Sequence, residues 1–182
     1  MKVLLFIASL LVTQWAHAGI LSLDMSAGQA GSLASDNGWL DDDTQAIDFY
    51  TFELTTDTLL DFSVSAPGSV GLSLYASQLL FDPGFLFSNS SDFIDFTGNT
   101  YHYLAGTNAF FPGAGDNTLA AGWLAAGWYT LAVGGNEGFD MGGFNYTLMT
   151  TAGAMEVPEP ASIALFLTLF TGLIMWRNTV KR

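Results

Sequence analysis

The chain contains no cysteine, and between positions 19 and 176 it contains neither lysine nor arginine. The missing thiols exclude disulfides, thiolate metal sites and a cysteine nucleophile. The missing cations leave nothing to neutralise phosphates over the same stretch, so we expect no binding to nucleic acid. The 17 acidic residues all precede position 161, and the formal net charge is −13. The sequence therefore describes an acidic body whose stability depends on packing alone, with a charge that favours solubility.

The few cations are confined to the two ends of the chain, and the amino-terminal one belongs to a signal-peptide pattern. Lys2 precedes the apolar run 3–12, and the small residues Ala16 and Ala18 follow that run. Signal peptidase cleaves after such an A-x-A arrangement, which makes Gly19 the predicted mature amino terminus. The apolar run is too short to span a bilayer as a helix, so we expect a removed leader and not a retained anchor.

The carboxyl end has three parts in a fixed order. Pro158, Glu159 and Pro160 come first, an uncharged run over 161–176 follows, and the chain closes with the cations Arg177, Lys181 and Arg182. A helix over the run would be about 24 Å long, slightly short of a bilayer core of about 30 Å. The cations after it would stay cytoplasmic while the body is exported. From the residues alone, this segment predicts either a permanent single-pass anchor or a transient one.

Alternation of apolar and polar residues is the main structural signal in the middle of the chain. In LLDFSVSA, at positions 59–66, Leu60, Phe62 and Val64 share one face of a predicted strand with a wet opposite side. The same alternation recurs, with turn residues between the repeats, at 69–75, 128–134 and 144–150. Without a convincing amphipathic helix, this pattern predicts an antiparallel β-sandwich, and residues 20–25 predict an additional edge strand.

The least regular stretch, residues 81–118, is dense in aromatic side chains: Phe81, Phe85, Phe87, Phe93, Phe96, Tyr101, Tyr103, Phe110 and Phe111. Flat rings stack on the apolar faces of sugars, so this stretch is a candidate carbohydrate-binding face. Large aromatics in a small all-β domain more often bury area as a second core layer. The spacing does not separate the two interpretations.

Two acidic turns are candidate calcium ligands, because hard oxygen donors suit that ion. The loop 35–48 and the turn 134–140 supply the candidate oxygens of Asp36, Asn37, Asp41, Asp42, Asp43, Asp48, Asn136, Glu137 and Asp140. The loop does not have EF-hand spacing. If the two turns meet at one end of the sandwich, calcium would offset their crowded charge. The alternative is a pair of solvated turns.

Catalytic patterns are weak. After leader removal His102 is the single histidine, and its surroundings, NTYHYLAG, contain no nucleophile motif. Zinc lacks its usual ligands here. Asp92 and Asp95 could form a carboxylate pair for glycoside hydrolysis, but such pairs are common by chance in an acidic protein. We therefore expect a protein that is not an enzyme.

Two fragments, 46–66 and 124–150, resemble bacterial pre-peptidase C-terminal domains. In those domains an Asp, an aromatic residue and then a Phe precede an apolar strand, and Ala-Gly-x-Tyr-x-Leu comes before a closing Tyr-x-Leu strand. The matching positions here are Asp48, Phe49, Phe52, Ala126, Gly127, Tyr129, Leu131, Tyr146 and Leu148. The resemblance covers both ends of the domain and not its aromatic middle. It implies a jelly-roll-like sandwich and says little about a ligand.

The carboxyl end resembles the PEP-CTERM sorting signal of Gram-negative bacteria, on the order of its three parts. That resemblance implies export, recognition of Pro158, Glu159 and Pro160 by the membrane transpeptidase exosortase, and removal of the tail. It also implies a transient inner-membrane intermediate, followed by display or release in an exopolysaccharide-rich layer at the cell surface. This interpretation takes precedence over a permanent anchor because of the Pro-Glu-Pro motif.

Together these patterns predict the following organisation: a signal peptide at 1–18, an all-β, jelly-roll-like antiparallel sandwich at 19–155, a processing linker at 156–160, a transmembrane helix at 161–176 and a basic cytoplasmic tail at 177–182. The predicted function is that of a non-enzymatic surface or matrix protein associated with exopolysaccharide in a biofilm. The predicted partners are signal peptidase, exosortase, the inner membrane and the polymer. The alternative is a carbohydrate-binding module that uses aromatics of 81–111 and a calcium ion.

Overall fold

The computed structural model describes residues 19–107, 117–138 and 142–154. The predicted leader, processing linker, membrane segment and basic tail lie outside these residues, as do Phe110, Phe111 and Asp140. Within the described residues the chain forms ten strands: β1 (Ile20–Ser22), β2 (Gln29–Leu33), β3 (Ile47–Leu54), β4 (Thr58–Ser65), β5 (Val70–Ala76), β6 (Phe93–Ile94), β7 (Thr100–Gly106), β8 (Thr118–Leu124), β9 (Gly127–Gly135) and β10 (Phe144–Ala154). Two short 3-10 turns, Thr44–Ala46 and Gly84–Leu86, interrupt the loops.

The strands form two sheets that face each other. One sheet has six strands in the order β1-β3-β9-β5-β7-β6, and the other has four in the order β2-β10-β4-β8. Among the described strands, every pairing is antiparallel except that of β1 with β3. The sequence-based prediction of an all-β sandwich is therefore confirmed. No helix among the residues described has the length and apolar character needed to cross a bilayer.

The core between the sheets follows the alternation that the sequence shows. In β4, Leu60, Phe62 and Val64 are buried while Asp61 and Ser65 are exposed, as predicted. The inward faces of the other strands complete this inner core, which includes Tyr50, Phe52, Leu72, Leu74, Leu131, Val133 and Leu148. Successive side chains of a strand point to opposite faces of its sheet, so every second residue of each strand faces the other sheet. These inward side chains form the apolar layer between the two sheets.

The prediction of a wet outer side is wrong for the central strands β5 and β9 of the six-stranded sheet. In β5 the residues Val70–Tyr75 are all buried, and β9 is buried from Tyr129 to Gly135. A second cluster covers this outer face; we call it the outer core, and it consists of Trp39, Ile47, Phe49, Tyr75, Leu79, Phe87, Phe93, Tyr101 and Ala132. Trp39 lies directly over Gly71, where an added Cβ would come within 2.3 Å of the indole ring.

The structure has more strands than the sequence predicts. The predicted edge strand at 20–25 is confirmed in part as β1, which pairs in parallel with β3 through Phe49 N donating to Gly19 O at 3.0 Å. The sequence does not predict β2, β7 and β8, because QAGSL, TYHYLAG and TLAAGWL lack a clear apolar alternation, and it does not predict β6, which has only two residues. Gly, Ala and Ser occupy positions where strands usually carry large apolar side chains.

Candidate binding surface and buried carboxylate

A buried carboxylate lies at the end of the inner core, where β3 faces the other sheet. Asp48 is 3% exposed. The Tyr146 hydroxyl on β10 donates to Asp48 Oδ2 at 2.6 Å, and the Tyr50 hydroxyl lies 2.6 Å from the Tyr146 hydroxyl. Asp48 and Tyr146 are two of the positions on which the fragments resemble pre-peptidase C-terminal domains, and the fold brings them into contact across 98 residues of chain.

Burial dominates the electrostatics of this network. Loss of solvent raises the pKa of Asp48, while the hydrogen bond from Tyr146 and those from the Gly19 and Ser32 backbone N–H groups act in the opposite direction. Burial also raises the pKa of Tyr50 to about 12 and that of Tyr146 further still. Both tyrosines therefore remain neutral donors. The three donors that reach Asp48 are neutral as well, and none of them balances its charge.

Gly31 on β2 makes room for this network. It pairs with Tyr146 across the antiparallel ladder, and a Cβ built on Gly31 would lie 2.2 Å from Tyr146 Cζ. A residue with any side chain would push the phenol ring away from Asp48. Gly31 therefore has two effects: it weakens the strand pattern of β2 in the sequence, and it leaves the space that the Tyr146 ring occupies.

The candidate calcium ligands separate into different environments. The backbones of Asp36 and Glu137 meet, since Glu137 N donates to Asp36 O at 2.9 Å, and the Glu137 carboxylate accepts from Ser69 N. Asn136 N donates to Ser69 O at 2.9 Å beside them. This end of the sandwich joins the loop after β2 to the turn after β9.

The other predicted ligands serve the loop itself or lie elsewhere. Asp41 Oδ2 accepts from the Asn37 side chain at 3.1 Å, and Asp43 Oδ1 accepts from Gln45 N at 3.1 Å to begin the 3-10 turn. Asp42 has a positive φ of 49°, and burial raises its pKa. Asp48 belongs to the tyrosine network. In the described part of the chain, no three acidic or histidine side chains converge as a metal site would require; calcium binding stays a prediction.

The aromatic middle divides between the outer core and the surface. Phe87, Phe93 and Tyr101 are at most 5% exposed, and Phe93 stacks on Tyr101 with ring centroids 4.7 Å apart. Five other apolar side chains between residues 80 and 96 remain exposed, and we call this set the apolar patch: Leu80, Phe81, Phe85, Ile94 and Phe96. Both interpretations of the aromatic stretch therefore have structural counterparts, in different residues.

Within the apolar patch, Phe85 and Phe96 form an edge-to-face pair. Their centroids are 5.6 Å apart, their planes are inclined by 75°, and the two side chains are 85% and 66% exposed. Hydrogen bonds fix the backbone of the loop that carries Phe96, because Asp95 Oδ1 accepts from Thr97 N at 2.8 Å and from Asn99 N at 3.0 Å. Hydrogen bonds, first among them that of the Thr97 hydroxyl, hold the pKa of Asp95 well below its usual range.

The single histidine of the described residues forms an exposed pair with Asp92. His102 Nδ1 lies 2.9 Å from Asp92 Oδ2, and Tyr103 N donates to Asp92 Oδ1 at 2.7 Å. The hydrogen bond with His102 is the main cause that lowers the pKa of Asp92. The second carboxylate of the predicted hydrolytic pair, Asp95, is occupied by its own loop and by the Tyr101 hydroxyl at 2.9 Å.

These features define an acidic two-sheet β-sandwich with an apolar patch outside one sheet and a buried carboxylate between the sheets. It is similar to the pre-peptidase C-terminal domain of a Bacillus anthracis collagenase, at 18% identity and a TM-score of 0.43 over 73% of this chain and 95% of that one. It is also similar to a periplasmic inhibitor of g-type lysozyme from Aeromonas hydrophila, at 9% identity and a TM-score of 0.45 over 74% of this chain and 96% of that one. No family model and no curated protein matches the chain. Both TM-scores are below 0.5, so the sandwich assignment rests on the strand pairing itself.

Proposed function

We propose that this chain is an exported, non-enzymatic surface or matrix protein, delivered to an exopolysaccharide-associated layer by a PEP-CTERM sorting tail. The observation that carries the proposal is the sequence of the tail, in which three parts follow one another: Pro158, Glu159 and Pro160, then the uncharged run 161–176, then the terminal cations. Cations on one flank of an apolar segment hold that flank in the cytoplasm and leave the body outside. The leader pattern at the other end supplies the route of export.

The chemistry of the body supports a role in placement and binding instead of turnover. Its candidate base, His102, is exposed, and among the residues that the structure describes its side chain pairs with one carboxylate, that of Asp92. A nucleophile-base pair needs a hydroxyl or thiol within hydrogen-bond reach and a third group that orients the base. The acidic surface has no lysine or arginine to balance it, which suits a soluble protein outside the cell.

The sorting proposal is tested by comparing three chains in cells that carry an exosortase. These are the natural chain, a chain that ends at Met155, and a chain with Glu159→Ala. We expect the natural chain at the cell surface, the truncated chain in the periplasm or medium, and E159A retained with its tail in the inner-membrane fraction. Surface display of the truncated chain would contradict the proposal.

Carbohydrate binding is a second candidate, favoured by the exposure of Phe81, Phe85 and Phe96. Aromatic rings that remain exposed beside a complete core offer faces on which sugars can stack. We expect retention on an exopolysaccharide matrix to fall when Phe85 and Phe96 are replaced together by alanine. Trp123→Ala is a matched control, because Trp123 is 52% exposed on the other sheet. Equal retention of both variants would exclude this role for the patch.

A further inference from the structure

The charge of Asp48 has no counter-ion in the described structure. Asp48 is almost fully buried, and the titratable groups that face it are the neutral phenols of Tyr146 and Tyr50. The remaining donors are the backbone N–H groups of Ser32 on β2 and of Gly19 before β1. The chain has no lysine or arginine between 19 and 176, and His102, which lies on β7, pairs with Asp92. Burying a carboxylate without a cation is costly.

The register of β1 brings one particular backbone nitrogen to this carboxylate. Ile20 lies opposite Phe49 and Leu21 lies opposite Tyr50 in the parallel pair, so Gly19 lies beside Asp48. The Phe49 N–H holds the Gly19 carbonyl at 3.0 Å. The Gly19 N–H lies close enough to the Asp48 carboxylate to lower its pKa. The nitrogen of the predicted mature terminus therefore reaches Asp48 without a rearrangement of β1.

We propose that the α-ammonium group released at Gly19 by signal-peptidase cleavage is the counter-ion of Asp48, so that processing completes the electrostatics of the folded domain. While the 18–19 peptide bond is intact, this nitrogen is a neutral amide with one N–H donor. Hydrolysis of that bond by water leaves a carboxylate on Ala18 and an amine on Gly19. At neutral pH the amine takes up a proton and becomes an ammonium with three donors. The inference rests on the signal-peptide part of the proposed function.

We therefore expect the mature chain to be more stable than its precursor, because of the contact between the Gly19 ammonium and Asp48. An ammonium hydrogen-bonded to a carboxylate forms a charge-assisted pair, which is stronger than the amide contact that it replaces. The pair raises the pKa of the Gly19 amine. Its contribution to stability is therefore complete below the unfolded value of about 8 and is lost as the pH rises through the higher folded value.

The amine can be observed directly, because the chain has so few. In a chain of residues 19–182 with Lys181→Arg, the Gly19 amine is the only primary amine. Reductive methylation with 13C-formaldehyde places one NMR signal on it and keeps its charge. The chain is prepared in detergent micelles from a cleavable amino-terminal fusion that leaves Gly19 free. We expect the pKa of the Gly19 amine to be at least about one unit above the usual 7.7–8.0. This corresponds to a tenfold increase in its proton affinity.

Two comparisons separate the pair from the general effect of an acidic protein. A chain that begins at Ala18 carries the same net charge but moves its ammonium one residue, up to about 3.8 Å, away from Asp48. Asp48→Asn keeps the terminus and removes the charge. We expect the pKa to return toward the usual range in both chains. We also expect the Gly19 chain to lose its advantage in melting temperature over the Ala18 chain between pH 8 and pH 10.

The outcomes are distinguishable. Equal pKa values in the Gly19 and Ala18 chains would overturn the inference while leaving export intact. If D48N does not fold, the Ala18 comparison decides alone. A mature terminus other than Gly19, read by mass spectrometry of the exported protein, would overturn the inference together with the predicted cleavage site.

Discussion

Replacing Tyr146 with phenylalanine removes one hydroxyl from the centre of the buried network and leaves the ring in place. That hydroxyl donates to Asp48 Oδ2 at 2.6 Å and lies 2.6 Å from the Tyr50 hydroxyl. A hydrogen bond to a charged group contributes about 1.5–3 kcal/mol, and a polar partner left unsatisfied in a buried site costs about 1–3 kcal/mol. We expect Y146F to lower the free energy of unfolding by about 3 kcal/mol, a large part of the 5–15 kcal/mol typical of a domain.

The assay is urea unfolding at pH 7 and pH 4, with Tyr129→Phe as the matched control. The Tyr129 hydroxyl donates to the Ala125 carbonyl at 2.7 Å in a partly exposed position, so its loss costs about 0.5–1.5 kcal/mol. Burial already raises the pKa of Asp48, and the Tyr146 hydrogen bond opposes that rise. Without Tyr146 the folded-state pKa rises further, and stability is lost as the pH rises through it. A Y146F effect no larger than that of Y129F, or larger at pH 4 than at pH 7, would refute this reasoning.

Three further predictions address the outer core, the glycine beside Tyr146 and the exposed ion pair. Phe87→Ala should cost about 3–5 kcal/mol of unfolding free energy, whereas Phe85→Ala, two residues earlier and 85% exposed, should stay within about 0.5 kcal/mol; similar values for both would contradict the division of the aromatic stretch. Gly31→Ala should cost about 2 kcal/mol or more in urea unfolding, and Gly28→Ala less, because the added Cβ meets Tyr146 Cζ at 2.2 Å in one case and Thr147 Cγ2 at 3.3 Å in the other. His102→Ala should raise the pKa of Asp92 toward 3.8 in an NMR titration, since the His102 hydrogen bond is the main cause that lowers it; an unchanged value would show that the pair does not form.

Local alternation predicts the strands whose two faces differ. β4 was predictable because Leu60, Phe62 and Val64 alternate with residues that remain wet. The same rule predicted the inward residues of β5 but not its buried outer face. Trp39 and Phe87, which cover that face, come from loops on either side of β5 in sequence. The alternation within the seven residues of β5 carries no information on side chains that are distant in sequence and pack on its outer face.

The buried network shows a similar limit. The resemblance to pre-peptidase C-terminal domains selected both Asp48 and Tyr146, but only the fold reveals that they touch. From the sequence, Asp48 belongs with the acidic loop as a candidate calcium ligand, because it is close in sequence to Asp41 and Asp43. In the structure it points between the sheets and meets Tyr146. The sequence does not predict β2, because the position that faces the Tyr146 ring has no room for a side chain and is glycine, a residue that is rare in strands.

The intact mass of the protein recovered from the cell surface tests the central claim, that the two ends of the chain are export and sorting signals. We expect a species that begins at Gly19 and lacks residues 161–182. A surface-exposed species that still carries Lys2 or the terminal Arg177, Lys181 and Arg182 would contradict it.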